Sequence, residues 1–165
     1  MAQPKINIKR TKSDFIIEAV SIISLAVAVF IIIYYQNEFP ETIPIRYNAI
    51  GQPDLSGPKW ILFILPVMGF ITFAGMTFLA RFPHKFNYPV EVDEKNVRPL
   101  YLIGVRIVSF LKMMICLLIL YICYAQKLSL ADGKSEVNIY IILMFIFIIA
   151  ATPVYAVIKM KRISR

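Results

Sequence analysis

Three ionisable residues fall inside long apolar runs of this sequence: Glu18, Arg106 and Lys112. Lipid makes such residues expensive, about 2.5–3.5 kcal/mol for a Lys or Arg at mid-membrane. Each therefore needs an opposite charge, or a way to extend its head back to the membrane surface. Glu18 lies about one turn into the first apolar run, and Lys112 stands six helical residues, roughly 9 Å, beyond Arg106. Two readings are open: all three extend to the interface, or Glu18 pairs with Arg106 or Lys112 as an intramembrane charge cluster. Helical faces favour the pair. Ser109, Lys112, Cys116 and Cys123 share one face, as do Ser21, Leu25 and Ala28, with Glu18 at the edge. Small, weakly polar faces are those that pack helix on helix in lipid.

Other chemistry is absent from the pattern. There is no HExxH, glycine-rich phosphate loop, CxxC or nucleophile beside a base. The expectation is no catalytic residues, no metal site, no cofactor and no enzyme. Cys116 and Cys123 would lie roughly 10 Å apart on a helix, too far for a disulfide between them. His84, the single histidine, sits in a loop and reads as solvated.

The elements that must position these residues follow from hydropathy. The chain is 59% hydrophobic with a mean hydropathy of +0.69, beyond the range of a soluble domain. Four apolar blocks, at about 15–35, 58–80, 99–124 and 137–158, each have the length needed to cross a bilayer. The expected fold is an all-α membrane protein: a four-transmembrane-helix bundle, one integral membrane domain over residues 1–165, with a short ordered extracytoplasmic loop between helices 1 and 2. The first block is too long for a signal-peptide core and lacks a polar cleavage region, so it reads as an uncleaved helix. Thr72 and Thr77 read as the few polar residues toward the outer half of the bundle.

The net charge is +8, and its distribution sets orientation. The N-terminal tail (Lys5, Lys9, Arg10, Lys12), the second connection (Arg81, Lys85, Lys95, Arg98) and the C-terminal tail (Lys159, Lys161, Arg162, Arg165) all fall on one side of a four-pass chain. The other connections hold Arg46 and Lys59, and Lys127 and Lys134. The richer side is expected to be cytoplasmic, with both termini there. The basic residues thus meet lipid headgroups, and the lipid bilayer, not nucleic acid, is the expected partner. Tyr34, Tyr35, Trp60, Tyr124 and Tyr140 suit an outer aromatic belt, and Phe82, Tyr101 and Tyr155 an inner one.

The loop between the first two blocks is the most distinctive segment. Ile43, Ile45 and Tyr47 alternate as in a short strand that Pro44 confines to an edge, and residues 48–51 read as a turn. Asp54 is expected beside the N-terminus of the second helix. Arg46, Asn48 and Asp54 are the candidate binding residues. The pattern Pro40-x-x-Ile43-Pro44-x-x-Tyr47-Asn48-x-x-Gly51-x-Pro53-Asp54-x-x-Gly57-x-Lys59, running into a helix with Pro66, resembles the domain of unknown function at the N-terminus of SdpI-type bacterial membrane proteins. The 87–90 stretch and Arg106 with Leu111-Lys112 look like the shorter, four-helix members. Where that family usually has histidine, this chain has Arg46. The resemblance implies a multi-pass protein of the bacterial cytoplasmic membrane, without enzymatic activity, related to immunity against the sporulation-delaying toxin. Two functions follow as expectations. One is a non-catalytic protein that senses, or gives immunity to, an envelope-active peptide or agent, its partner an extracellular peptide or another membrane protein. The alternative is a small transporter or permease subunit with Glu18, Arg106 and Lys112 along a polar path.

Overall fold

A computed structural model describes residues 4–6, 8, 11–47, 53–132 and 137–163. The elements are α1 (Lys12–Tyr35), β1 (Thr42–Tyr47), β2 (Pro53–Pro58), a 3-10 segment (Lys59–Phe63) that leads into α2 (Ile64–Leu79), α3 (Val97–Asp132) and α4 (Ile139–Ile163). All four helices are long and apolar enough to span a bilayer, and the chain is a multi-span membrane protein with a two-stranded hairpin between its first two spans.

Side-chain contacts give the helix directions. Asp14 lies beside Arg106, Glu18 beside Lys112, and Tyr35 beneath Lys127, so α1 and α3 run parallel. Glu18 meets Thr77, and Leu25 meets Gly69, so α2 is antiparallel to α1. Asn138 donates its N–H to the Tyr121 hydroxyl at 2.8 Å where α4 turns back along α3. One end of the molecule, the base, therefore carries the start of α1, the α2–α3 connection and the end of α4. The other, the head, carries the hairpin.

The packing is uneven. The small faces of α1 and α3 meet: Ser21, Leu25 and Ala28 are buried against Lys112, Cys116 and Cys123. Ser21 and Ser24 return their hydroxyls to the carbonyls of Ile17 and Val20, which satisfies them without an interhelical partner. A Cβ at Gly69 would lie 2.7 Å from Leu25 and 2.9 Å from Ile119, so this glycine lets α2 close on the pair. By contrast, only 6% of the apolar window of α4 is buried, and α4 packs substantially on α3 alone. The bundle is a three-helix core with a fourth helix leaning on it.

Two boundaries differ from the hydropathy reading. α2 begins with a 3-10 turn because Pro66, three residues into the α-helical part, offers no N–H. α3 continues eight residues past 124, to Asp132. No glycine or proline falls in residues 125–132, and helix formation does not require apolar residues once Leu130 can pack on the core. At the base, Tyr101 is fully buried and donates its hydroxyl to the Pro4 carbonyl at 2.9 Å, so it is not an interfacial belt residue. Tyr88 stacks on it, with ring centroids 5.4 Å apart, and donates to the Pro83 carbonyl. Burial pushes the Tyr88 phenol above its usual pKa.

Candidate functional site

Two regions hold the residues singled out by the sequence. At the base, Lys112 is 2% exposed and donates to Glu18 Oε2 at 2.7 Å and to the Thr77 hydroxyl at 2.8 Å. Its ammonium also sits 4.4 Å from the centroid of the Phe73 ring. One helix supplies each part: α1 the carboxylate, α2 the hydroxyl and ring, α3 the cation. An ammonium has three protons to place, and here they meet an acid, a hydroxyl and a π face. That lowers the cost of holding a charge where lipid surrounds the bundle.

Glu18 pairs with Lys112 and not with Arg106. The Arg106 Nε instead stands 4.0 Å from Asp14 Oδ1, a long contact. The other Asp14 oxygen accepts from the N–H and hydroxyl of Thr11, at 2.6 and 2.8 Å, closing the first turn of α1. Asp14, Glu18, Thr77, Arg106 and Lys112 line a cavity of about 280 Å³ that also takes in Arg81 and Ser109 and is walled by Ile6 and Ile8 of the N-terminal segment. The cavity reaches Lys112 and ends there. Toward the head, Leu25, Ala28, Ile32, Cys116, Ile119 and Cys123 fill the interior.

At the head, β1 and β2 pair antiparallel, with Ile43 opposite Gly57 and Arg46 opposite Leu55. Ile43 and Phe39 enter the same apolar core as α1 and α3. The register shifts between Pro44 and Arg46, so Ile45 is the extra residue of a bulge. It is 42% exposed instead of sharing the buried face of Ile43, which corrects the simple alternation read from the sequence. The Arg46 Nε donates to both carboxylate oxygens of Asp54, at 2.9 and 3.1 Å. Asp54 therefore lies within β2 and tethers Arg46 across the hairpin, and is not a dipole partner of the second helix. Lys59 holds the root of the hairpin through Glu41 at 2.8 Å. Asn48 lies outside the described residues.

The charged cluster was legible in part. Thr77 was expected toward the outer half, yet α2 descends from head to base, which brings residue 77 level with Glu18. Asp14 was missed. Its signal was a carboxylate three residues after Thr11, the spacing of a capping box.

The hairpin, its entry helix and its exit helix form a continuous unit, and comparison with known families bears on that unit. Residues 22–70 match the domain of unknown function DUF1648. The DUF1648 segment thus takes in the upper part of α1, the hairpin and the first turns of α2. It holds Arg46, Asp54 and the Leu25–Gly69 contact, while Asp14, Glu18, Thr77, Arg106 and Lys112 lie outside it. No curated protein and no solved structure gives a significant match.

Proposed function

We propose that this chain is a non-catalytic membrane protein whose head hairpin recognises an envelope-active peptide or agent, either as a sensor or to give immunity to it. The observation that carries this reading is the mounting of the hairpin. Ile43 is 2% exposed in the core, while Arg46 and Leu55 on the same hairpin face outward. A recognition surface held in one shape loses less entropy on binding than a mobile loop. The DUF1648 match is centred on this unit, and the resemblance of the loop pattern to SdpI-type membrane proteins, which are related to toxin immunity, supports the reading. On this reading the protein sits in a bacterial cytoplasmic membrane with both termini cytoplasmic, so that the head faces outward. The transporter alternative loses ground because its polar path stops below the apolar core at Cys116 and Ile119.

The test is a strain lacking the protein, challenged with a panel of membrane-active peptides. Restoring the wild-type chain is expected to raise resistance to at least one of them. Arg46→Ala and Asp54→Ala are expected to remove that gain at normal protein levels; full protection by both would reject the hairpin as the recognition surface. Orientation is read separately. Asn48→Cys and Ser135→Cys should react with an impermeant thiol reagent outside intact cells, and Asn87→Cys and Ser164→Cys should not. Cys116 and Cys123 are buried and add no background. Labelling at position 87 from outside would invert the assignment.

A further inference from the structure

The groove between α3 and α4 near the base has a composition that the hairpin and the buried ion pair do not explain. It encloses about 460 Å³ and is walled by apolar side chains, among them Ile107 and Phe110 of α3 and Phe147 and Ala151 of α4. Thr152 also lines it, but its hydroxyl is spent on the Ile148 carbonyl at 2.7 Å, so that wall offers little polarity. Two cations lie among its lining residues, Arg106 from α3 and Lys159 from α4, and no carboxylate does. Lys159 lies in the last turns of α4, 5.8 Å over the Tyr155 ring, and has no ion-pair partner among the described residues. Arg106 has a side chain 53% exposed, and its contact to Asp14, 4.0 Å long, belongs to the neighbouring cavity. Both residues stand at the level of the base surface, one near the start of α1 through Asp14 and the other near the end of α4.

We infer that this groove holds one phospholipid of net negative headgroup charge, with its phosphate between Arg106 and Lys159 and an acyl chain along Ile107, Phe110 and Phe147. A guanidinium takes phosphate oxygens in a planar fork, and an ammonium adds a point charge from the facing helix. A zwitterionic headgroup would bring its own cation toward two positive side chains with no acid of the groove to receive it. The acyl chain would fill the space that α4, whose main packing is on α3, leaves beside it. This site is independent of the hairpin reading.

The test uses the purified full-length chain in detergent, titrated with phosphatidylglycerol or with phosphatidylcholine of the same acyl chains and followed by thermal unfolding. Phosphatidylglycerol is expected to bind about thirtyfold more tightly, the scale of two basic side chains near an anionic lipid. Inorganic phosphate at equal concentration is expected to leave the melting temperature unchanged. Arg106→Gln with Lys159→Gln should bring the two lipids to parity. Equal binding of both lipids by the wild type, equal stabilisation by free phosphate, or a preference that survives the double substitution would each overturn the site. A second measurement does not depend on that variant's folding. With Trp60→Phe and Phe147→Trp, brominated phosphatidylglycerol should quench the new fluorophore at concentrations about thirtyfold below brominated phosphatidylcholine. Coincident quenching curves would overturn the inference as well.

Discussion

Arg46–Asp54 at the head and Lys112–Glu18 at the base are ion pairs of nearly the same length, 2.9 and 2.7 Å, in opposite settings. The arginine side chain of the first is 67% exposed, and the lysine of the second is 2% exposed. Water screens the first pair and can replace either partner, so the pair orients a hairpin more than it stabilises one. Neither lipid nor the apolar core can replace the acid beside Lys112, so the buried ammonium is bound to the carboxylate's presence. The hairpin is positioned by Ile43 and Phe39, and its Arg46–Asp54 pair faces solvent. The base is positioned by its charges.

The largest expected effect follows from the unequal exposure of the base pair. Glu18→Ala leaves Lys112 without an acid and should destabilise the protein by about 3–5 kcal/mol, read by unfolding in mixed micelles. Lys112→Met should cost clearly less, because Glu18 is 22% exposed and borders the base cavity. Glu18→Leu with Lys112→Met should recover most of the loss. Equal costs for the two single variants would show that the cavity gives Glu18 no access to water.

The second effect is at the hairpin anchor. Ile43→Ala removes a core side chain and should cost about 2 kcal/mol, the low end for a residue near the surface. Amide exchange should rise throughout β1 and β2 while the α1–α3 interface keeps its protection. Loss of protection in both would mean that head and base unfold as one unit, removing the contrast drawn above.

The third is smaller again. At Gly104 an added Cβ would lie 3.0 Å from the Phe86 ring and from the Tyr88 hydroxyl oxygen. Gly104→Ala should lift the α2–α3 connection off α3 at a cost of about 1 kcal/mol, seen as faster exchange near residues 86–88. The smallest is Arg46→Ala, expected to change stability by no more than about 0.5 kcal/mol. A stability loss near that of Glu18→Ala would break the comparison.

The sequence made the base more legible than the head, for a physical reason. Faces that recur at helical spacing survive any tertiary arrangement, so Ser21, Leu25 and Ala28 could be set against Lys112, Cys116 and Cys123 from numbering alone. Where Thr77 sits depends on the direction of α2, head to base, and not on the residues around it in sequence. β2 left no such trace. Pro-Asp-Leu-Ser-Gly-Pro has neither alternation nor β-branched residues, and it is a strand because β1 lies beside it and Arg46 reaches Asp54. The bulge at Ile45 depends on that pairing and could not be read from β1 alone. The end of α3 was hidden because hydropathy measures where lipid begins, not where a helix stops.

The 94 residues between Glu18 and Lys112 also set a clock on biogenesis. At roughly 5–20 residues per second of synthesis, α1 leaves the ribosome roughly 5–20 s before its countercharge is made. Throughout that interval the Glu18 carboxylate has no Lys112 ammonium to meet. The contact that joins the first span to the third can form only once α3 has been made.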